Sequence, residues 1–81
     1  MNAVTRAVRE SLAQAPVSLR EIARRAGISH VLLARIVAGE RNATAVVADA
    51  VTTALEAIAA ESAKAAARVR RSLTTHGRKA P

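Results

Sequence analysis

Val17-Ser-Leu-Arg-Glu-Ile-Ala-Arg-Arg-Ala-Gly-Ile-Ser-His-Val-Leu-Leu-Ala-Arg-Ile-Val37 decides how this chain folds. Ser18 stands three residues before Glu21, so its hydroxyl can accept the Glu21 N–H while the Glu21 carboxylate reaches back to the Ser18 N–H, the two halves of a capping box. Val17 before the cap and Ile22 in the first turn are spaced to pack as a hydrophobic staple. The helix begun there carries Leu19, Ile22, Ala23 and Ala26 and stops at Gly27, the residue best able to take the left-handed conformation of a helix C-terminus. Ser29 caps the next helix, with Ile28 and Leu33 repeating the staple. This second helix turns Leu33 and Ile36 inward and ends at Gly39.

On the N-terminal side Val4, Val8, Leu12 and Ala15 recur at helical spacing, with Arg6, Arg9 and Glu10 opposite, and Pro16 forbids continuation. On the C-terminal side the polar segment Glu40-Arg41-Asn42 leads to Thr44, a cap for a helix whose stripe is Val47, Val51, Leu55 and Ile58. That stripe looks larger than one copy needs, which makes these four residues the candidate dimer contact. Ala59 to Ala67 stays helix-favouring but offers only Ala, with Val69 and Leu73 further on, and leaves helix and frayed tail both open. From Thr74 the chain reads as a mobile basic end. The expected fold is all-α: a compact bundle of four or five helices, its C-terminal helix extended if the Ala-rich segment is ordered. Residues 1–61 form the domain, and residues 62–81 an Ala-rich basic helix or tail.

The chain has 81 residues, no aromatic residue and no cysteine, so its core is aliphatic and disulfides and thiolate metal sites are excluded. Each buried Leu, Ile or Val contributes roughly 1.5–3 kcal/mol against roughly 1–2 kcal/mol per residue of ordering entropy, which favours self-association of so small a domain. The formal charge of +7 is unevenly spread. Residues 18–41 carry Arg20, Arg24, Arg25, Arg35 and Arg41 against Glu21 and Glu40; residues 42–61 carry only Asp49, Glu56 and Glu61; residues 62–81 carry Lys64, Arg68, Arg70, Arg71, Arg78 and Lys79 with no acid. Two basic regions around an acidic one suit a polyanion such as nucleic acid, as they also suit a plain solvated surface. No run is long enough to span a bilayer and no signal pattern opens the chain, so no membrane partner and a cytoplasmic location are expected. No enzyme is expected either: His30 and His76 are the only histidines, the carboxylates are scattered, and no Gly-rich phosphate loop occurs. Nothing calls for a cofactor or metal.

A short helix, a tight turn with Gly27, and a second short helix match the helix-turn-helix pattern, whose second helix lies in the major groove of DNA. Ala23 is small where the helices approach, and Ile22, Ile28, Leu33 and Ile36 wedge the crossing. The quoted stretch resembles the DNA-reading unit of the phage-repressor (Cro/cI, Xre-like) and lac-repressor families. Gly39, the polar loop and the Thr44-capped helix resemble the Xre-like side more. The resemblance implies a dimeric transcription regulator, a repressor of phage or mobile-element type, on a near-palindromic double-stranded operator.

By that resemblance Ser29, His30, Val31, Ala34 and Arg35 face bases, on a recognition helix spanning 29–38. Arg35 can donate two bonds to guanine O6 and N7, which predicts a G near the middle of each half-site; the alternative for Arg35 is a solvated or phosphate-bound side chain. Val31 can pack on a thymine methyl. His, Val and Ala stand where many family members carry Gln, which points to sparse base readout. Ser18, Arg20, Arg41 and Asn42 match the phosphate-contacting positions. Two other readings remain: an antitoxin or adaptor that autoregulates and binds a second protein through its C-terminal helix, and a nucleoid-associated protein with little sequence preference.

Overall fold

The computed structural model describes residues 2–77, and their side chains through Thr74. It is all-helical: α1 (Ala3–Gln14), α2 (Leu19–Ala26), α3 (His30–Val37) and α4 (Ala45–Gly77). No helix is long and apolar enough to cross a membrane among the described residues.

Each helix start follows from a side chain that satisfies an otherwise unpaired first-turn N–H. Asn2 Oδ1 accepts from Thr5 N–H at 2.8 Å, Ser18 Oγ from Glu21 N–H at 3.2 Å, Ser29 Oγ from Leu32 N–H at 3.3 Å, and Thr44 Oγ1 from Val47 N–H at 3.2 Å. Gly27 ends α2 at φ +70°, and its N–H returns to the carbonyls of Ala23 and Arg24. The turn between α2 and α3 is thereby held to Gly27, Ile28 and Ser29.

The core joins all four helices. Val8 and Leu12 of α1, Ile22 and Ala23 of α2, Leu33 and Ile36 of α3, and Val51, Ala54 and Ile58 of α4 are buried, with Ala43 beneath the loop before α4. Ile22, Leu33 and Ile36 have no exposed surface, so the centre lies where α2 and α3 cross. Val17, Ile28 and Ala15 pack around its rim. Both α3 and α4 pack against α1 and α2.

Four expectations are corrected. On α1 the buried set is Thr5, Val8 and Leu12, whereas Val4 is 44% exposed, because the Thr5 hydroxyl is needed inside: it accepts the buried Ala43 N–H at 2.9 Å. On α4, Val51 and Ile58 are spent in the chain's own core, so two of the four candidate dimer residues are not surface, while Val47 and Leu55 are half-buried against that core. The mobile end expected from Thr74 is instead helix as far as Gly77, α4 being continuous through the Ala-rich segment that the sequence left open. The Glu21 carboxylate bonds Arg24 and Arg25 instead of reaching back to Ser18, since two guanidiniums outbid one amide. Arg78 and Lys79 lie outside the described residues.

Residues 61–74 of α4 are all exposed, so the helix runs on past the bundle as an overhang. The molecule is accordingly elongated, 57 × 20 × 17 Å.

Candidate nucleic-acid interface

α3 is eight residues long, a little over two turns, and its sequence divides it cleanly. Leu33 and Ile36 anchor one side at zero exposure. His30, Val31, Ala34 and Arg35 fall within about 140° of arc on the other side, given 100° per residue. Of these His30, Val31 and Arg35 are exposed, Val31 at 57%, and Ala34 is half-buried at the flank. Ser29 is exposed too, with its hydroxyl engaged as the cap of Leu32 N–H. The base-facing candidates therefore share one outward surface, led by a helix N-terminus whose free N–H groups favour anions.

The phosphate candidates sit at helix ends and in the loop. Ser18 uses its hydroxyl on Glu21 N–H, and Arg20 follows it, exposed in the first turn of α2. Arg41 and Asn42 are exposed between α3 and α4. Among the described residues the side chains of Arg20, Arg35 and Arg41 are engaged in no hydrogen bond or ion pair, which leaves three guanidiniums for an outside anion.

Arg24 and Arg25 are committed differently. Arg25 Nε donates to Glu21 at 2.8 Å, and its two terminal nitrogens grip Glu61 of α4, one at 2.8 Å from Oε1 and the other on Oε2. Arg24 donates to the same Glu21 carboxylate, with Nε at 3.0 Å. Hydrogen bonds from Arg24 and then Arg25 hold Glu21 at a pKa of about 2, down from an ordinary 4.5. The Arg25 fork lowers Glu61 likewise, and both guanidiniums are pushed up by their carboxylates. Arg25 thus ties α2 to α4 and steadies the base of the α2–α3 pair.

Arg9 does a parallel job at the other end of α3. Its Nε donates to the carbonyl of Val37 at 3.1 Å, satisfying one of the terminal acceptors of α3 with a cation. Gly39, at φ +81°, turns the chain away beneath the same guanidinium. Thr5, Arg9 and the Arg25–Glu61 pair escaped the sequence reading because their partners lie 28 to 38 residues away. The one local hint was a basic residue on the polar side of the first helix.

No group of three or more His, Asp or Glu residues that could hold a metal stands together among the described residues. Compared with family models, with characterised proteins and with solved structures, the chain matches none.

Proposed function

We propose that this chain is a sequence-specific, double-stranded DNA-binding transcription regulator, a repressor of phage or mobile-element type, that acts as a dimer with α3 in the major groove. One observation carries the reading: a short, capped helix is wedged by Leu33 and Ile36 and presents His30, Val31 and Arg35 to solvent with Arg35 unpaired among the described residues. A helix that merely filled a bundle would have no need of an outward Arg beside an outward Val.

In this reading Arg35 reads guanine and Val31 meets a thymine methyl. Ser29 and His30 approach bases at the helix start, and Ala34 lets the backbone come close. Arg20, Arg41, Asn42 and Ser18 hold the flanking phosphates, which positions α3 without specifying sequence. Arg25 and Arg9 do not touch DNA; they fix the angle at which α3 is presented.

Selection of bound sites from random duplexes tests the proposal. The expected result is a two-fold symmetric site with half-sites about 10–10.5 base pairs apart and a G in each. Competition by arbitrary duplex equal to competition by the selected site would instead favour a packing protein without sequence preference, and no affinity for any duplex at low salt would end the reading.

A further inference from the structure

α4 carries a second face that the chain covers only in part: Ala48 and Leu55 are half-buried, and Thr52, Ala59 and the positions beyond are exposed. Beside the core stripe, Ala48, Thr52, Leu55 and Ala59 recur at alternating four- and three-residue steps, and Ser62, Ala66, Val69 and Leu73 continue the same line along the overhang. Such alternation keeps one seam of a helix facing a neighbour. Within the bundle this seam opens onto a shallow apolar groove between α1 and α4, walled by Val4, Ala7, Ala48 and Leu55. Outside it Val69 and Leu73 are 60% and 66% exposed.

The seam is self-complementary when turned end for end. An antiparallel partner helix in one register pairs Ala48 with Leu73, Thr52 with Val69, Leu55 with Ala66 and Ala59 with Ser62, and every pair is then repeated by the two-fold axis. Large meets small in the first and third pairs: Leu73 of one copy falls at Ala48, in the groove beside Val4, and Leu55 falls on Ala66. The axis passes between residues 60 and 61, at the middle of α4 (Ala45–Gly77), so the two helices overlap along their whole length.

Charge selects the same arrangement. From residue 45 to 63 the helix has no Lys or Arg and carries Asp49, Glu56 and Glu61, while from residue 62 onward it has no acid and carries Lys64, Arg68, Arg70 and Arg71. In the antiparallel register residues 49–56 lie opposite residues 65–72 of the other copy, acid against base. A parallel pair would stack four cations on four, a destabilising arrangement.

We infer that the α1–α4 groove and the α4 overhang together form a two-fold interface, in which each copy's overhang, led by Val69 and Leu73, lies antiparallel along the other copy's α4. This deepens the two-copy element of the proposed function by naming its surface, and it stands on α4 without any contact to DNA. Since α3 packs against α1 and α2 while the seam runs along α4, the pairing leaves the outer face of α3 uncovered.

The test uses the full chain without DNA. Sedimentation equilibrium gives a dimer, and Val69→Lys with Leu73→Lys raises its dissociation constant about 100-fold or more. These side chains lie outside the core, so the thermal transition of the monomer is retained. The chain has no cysteine, so Thr52→Cys and Val69→Cys introduce the only thiols. Mixed together under oxidation the two variants form a disulfide-linked dimer, whereas Val69→Cys by itself does not, because the two copies of residue 69 lie about 26 Å apart along the axis. A monomer at about 100 μM, a dimer indifferent to the lysines, or ready cross-linking of Val69→Cys to itself would each overturn the inference. Because no DNA is present, failure here leaves the duplex-binding result standing, and failure of duplex binding leaves this one standing.

Discussion

Arg35→Ala separates a reading role from every structural one. Arg35 is exposed on the last turn of α3, and among the described residues its side chain makes no hydrogen bond or ion pair, so its removal takes none out of the fold. Alanine is also the better helix former, and the change in unfolding free energy stays within about 0.5 kcal/mol. The effect on binding is larger. A two-pronged contact to guanine O6 and N7 discriminates by about 1–3 kcal/mol, which is a loss of about 5-fold to 150-fold in affinity for each half-site. The assay is fluorescence anisotropy titration of the selected duplex and of duplexes with one base pair changed, at several salt concentrations. The expected pattern is weakened binding to the selected site, indifference at one base pair of each half-site, and an unaltered preference elsewhere. A uniform loss on every duplex, with the salt slope reduced by about 0.9 per lost contact, would make Arg35 a phosphate ligand and refute the base-reading assignment. A matching loss of thermal stability would refute the claim that its side chain is idle in the free protein.

Thr5→Val keeps side-chain volume but leaves the Ala43 N–H buried without an acceptor, so a urea melt should show a loss of about 1–3 kcal/mol. Thr5→Ser keeps the hydroxyl and should cost about 1 kcal/mol for one methyl group; a valine variant as stable as the parent would sink the argument. Gly27→Ala should cost about 1 kcal/mol and lower the melting temperature by about 4–8 °C, entirely through the left-handed backbone, since an added Cβ meets nothing within 4 Å. The Glu21 carboxylate is depressed in the folded chain, so its contribution to stability is fully present above about pH 4.5 and disappears as pH falls from 4.5 toward 2. Acid titration followed by circular dichroism should therefore show a shallower decline for Glu21→Gln than for the parent, and an equal decline would refute the Arg24–Glu21–Arg25 account.

What the sequence made legible is what short-range chemistry determines. Ser18, Ser29 and Thr44 each act on an N–H three residues on, and Gly27 acts on its own backbone, so the helix boundaries around the turn could be read from spacing. The inward pair Leu33 and Ile36 follows from period, whereas the outward set on the same helix was named from the helix-turn-helix resemblance. Thr5 was hidden because a hydroxyl on an apolar face has meaning only with its acceptor role toward Ala43, far along the chain. Glu21 was misassigned for a related reason: the capping box offers one amide, whereas Arg24 and Arg25 offer charged donors that local pattern ranks no higher. The continuity of α4 beyond residue 61 had only Val69 and Leu73 as an apolar signal, since Ala favours helix without saying what covers it.

The sparseness of the α3 surface and the overhang of α4 belong to one argument. An eight-residue helix with a single outward guanidinium has little with which to discriminate. In the proposed reading, at about 1–3 kcal/mol, one Arg35 contact would separate right from wrong sequence by about 5-fold to 150-fold, far below the 10³–10⁷ typical of specific binders. Two copies on a symmetric site add their free energies, and about 2–6 kcal/mol gives about 30-fold to 20,000-fold, which reaches that range only when the two readers are rigidly joined. A loose tether would lose much of the gain to ordering. The inferred seam, running the length of a 33-residue helix, about 50 Å, would supply stiffness that a small patch on the bundle could not. The economy of side chains on α3 is therefore intelligible if the length of α4 serves to join two such readers, each too weak to choose a site by itself.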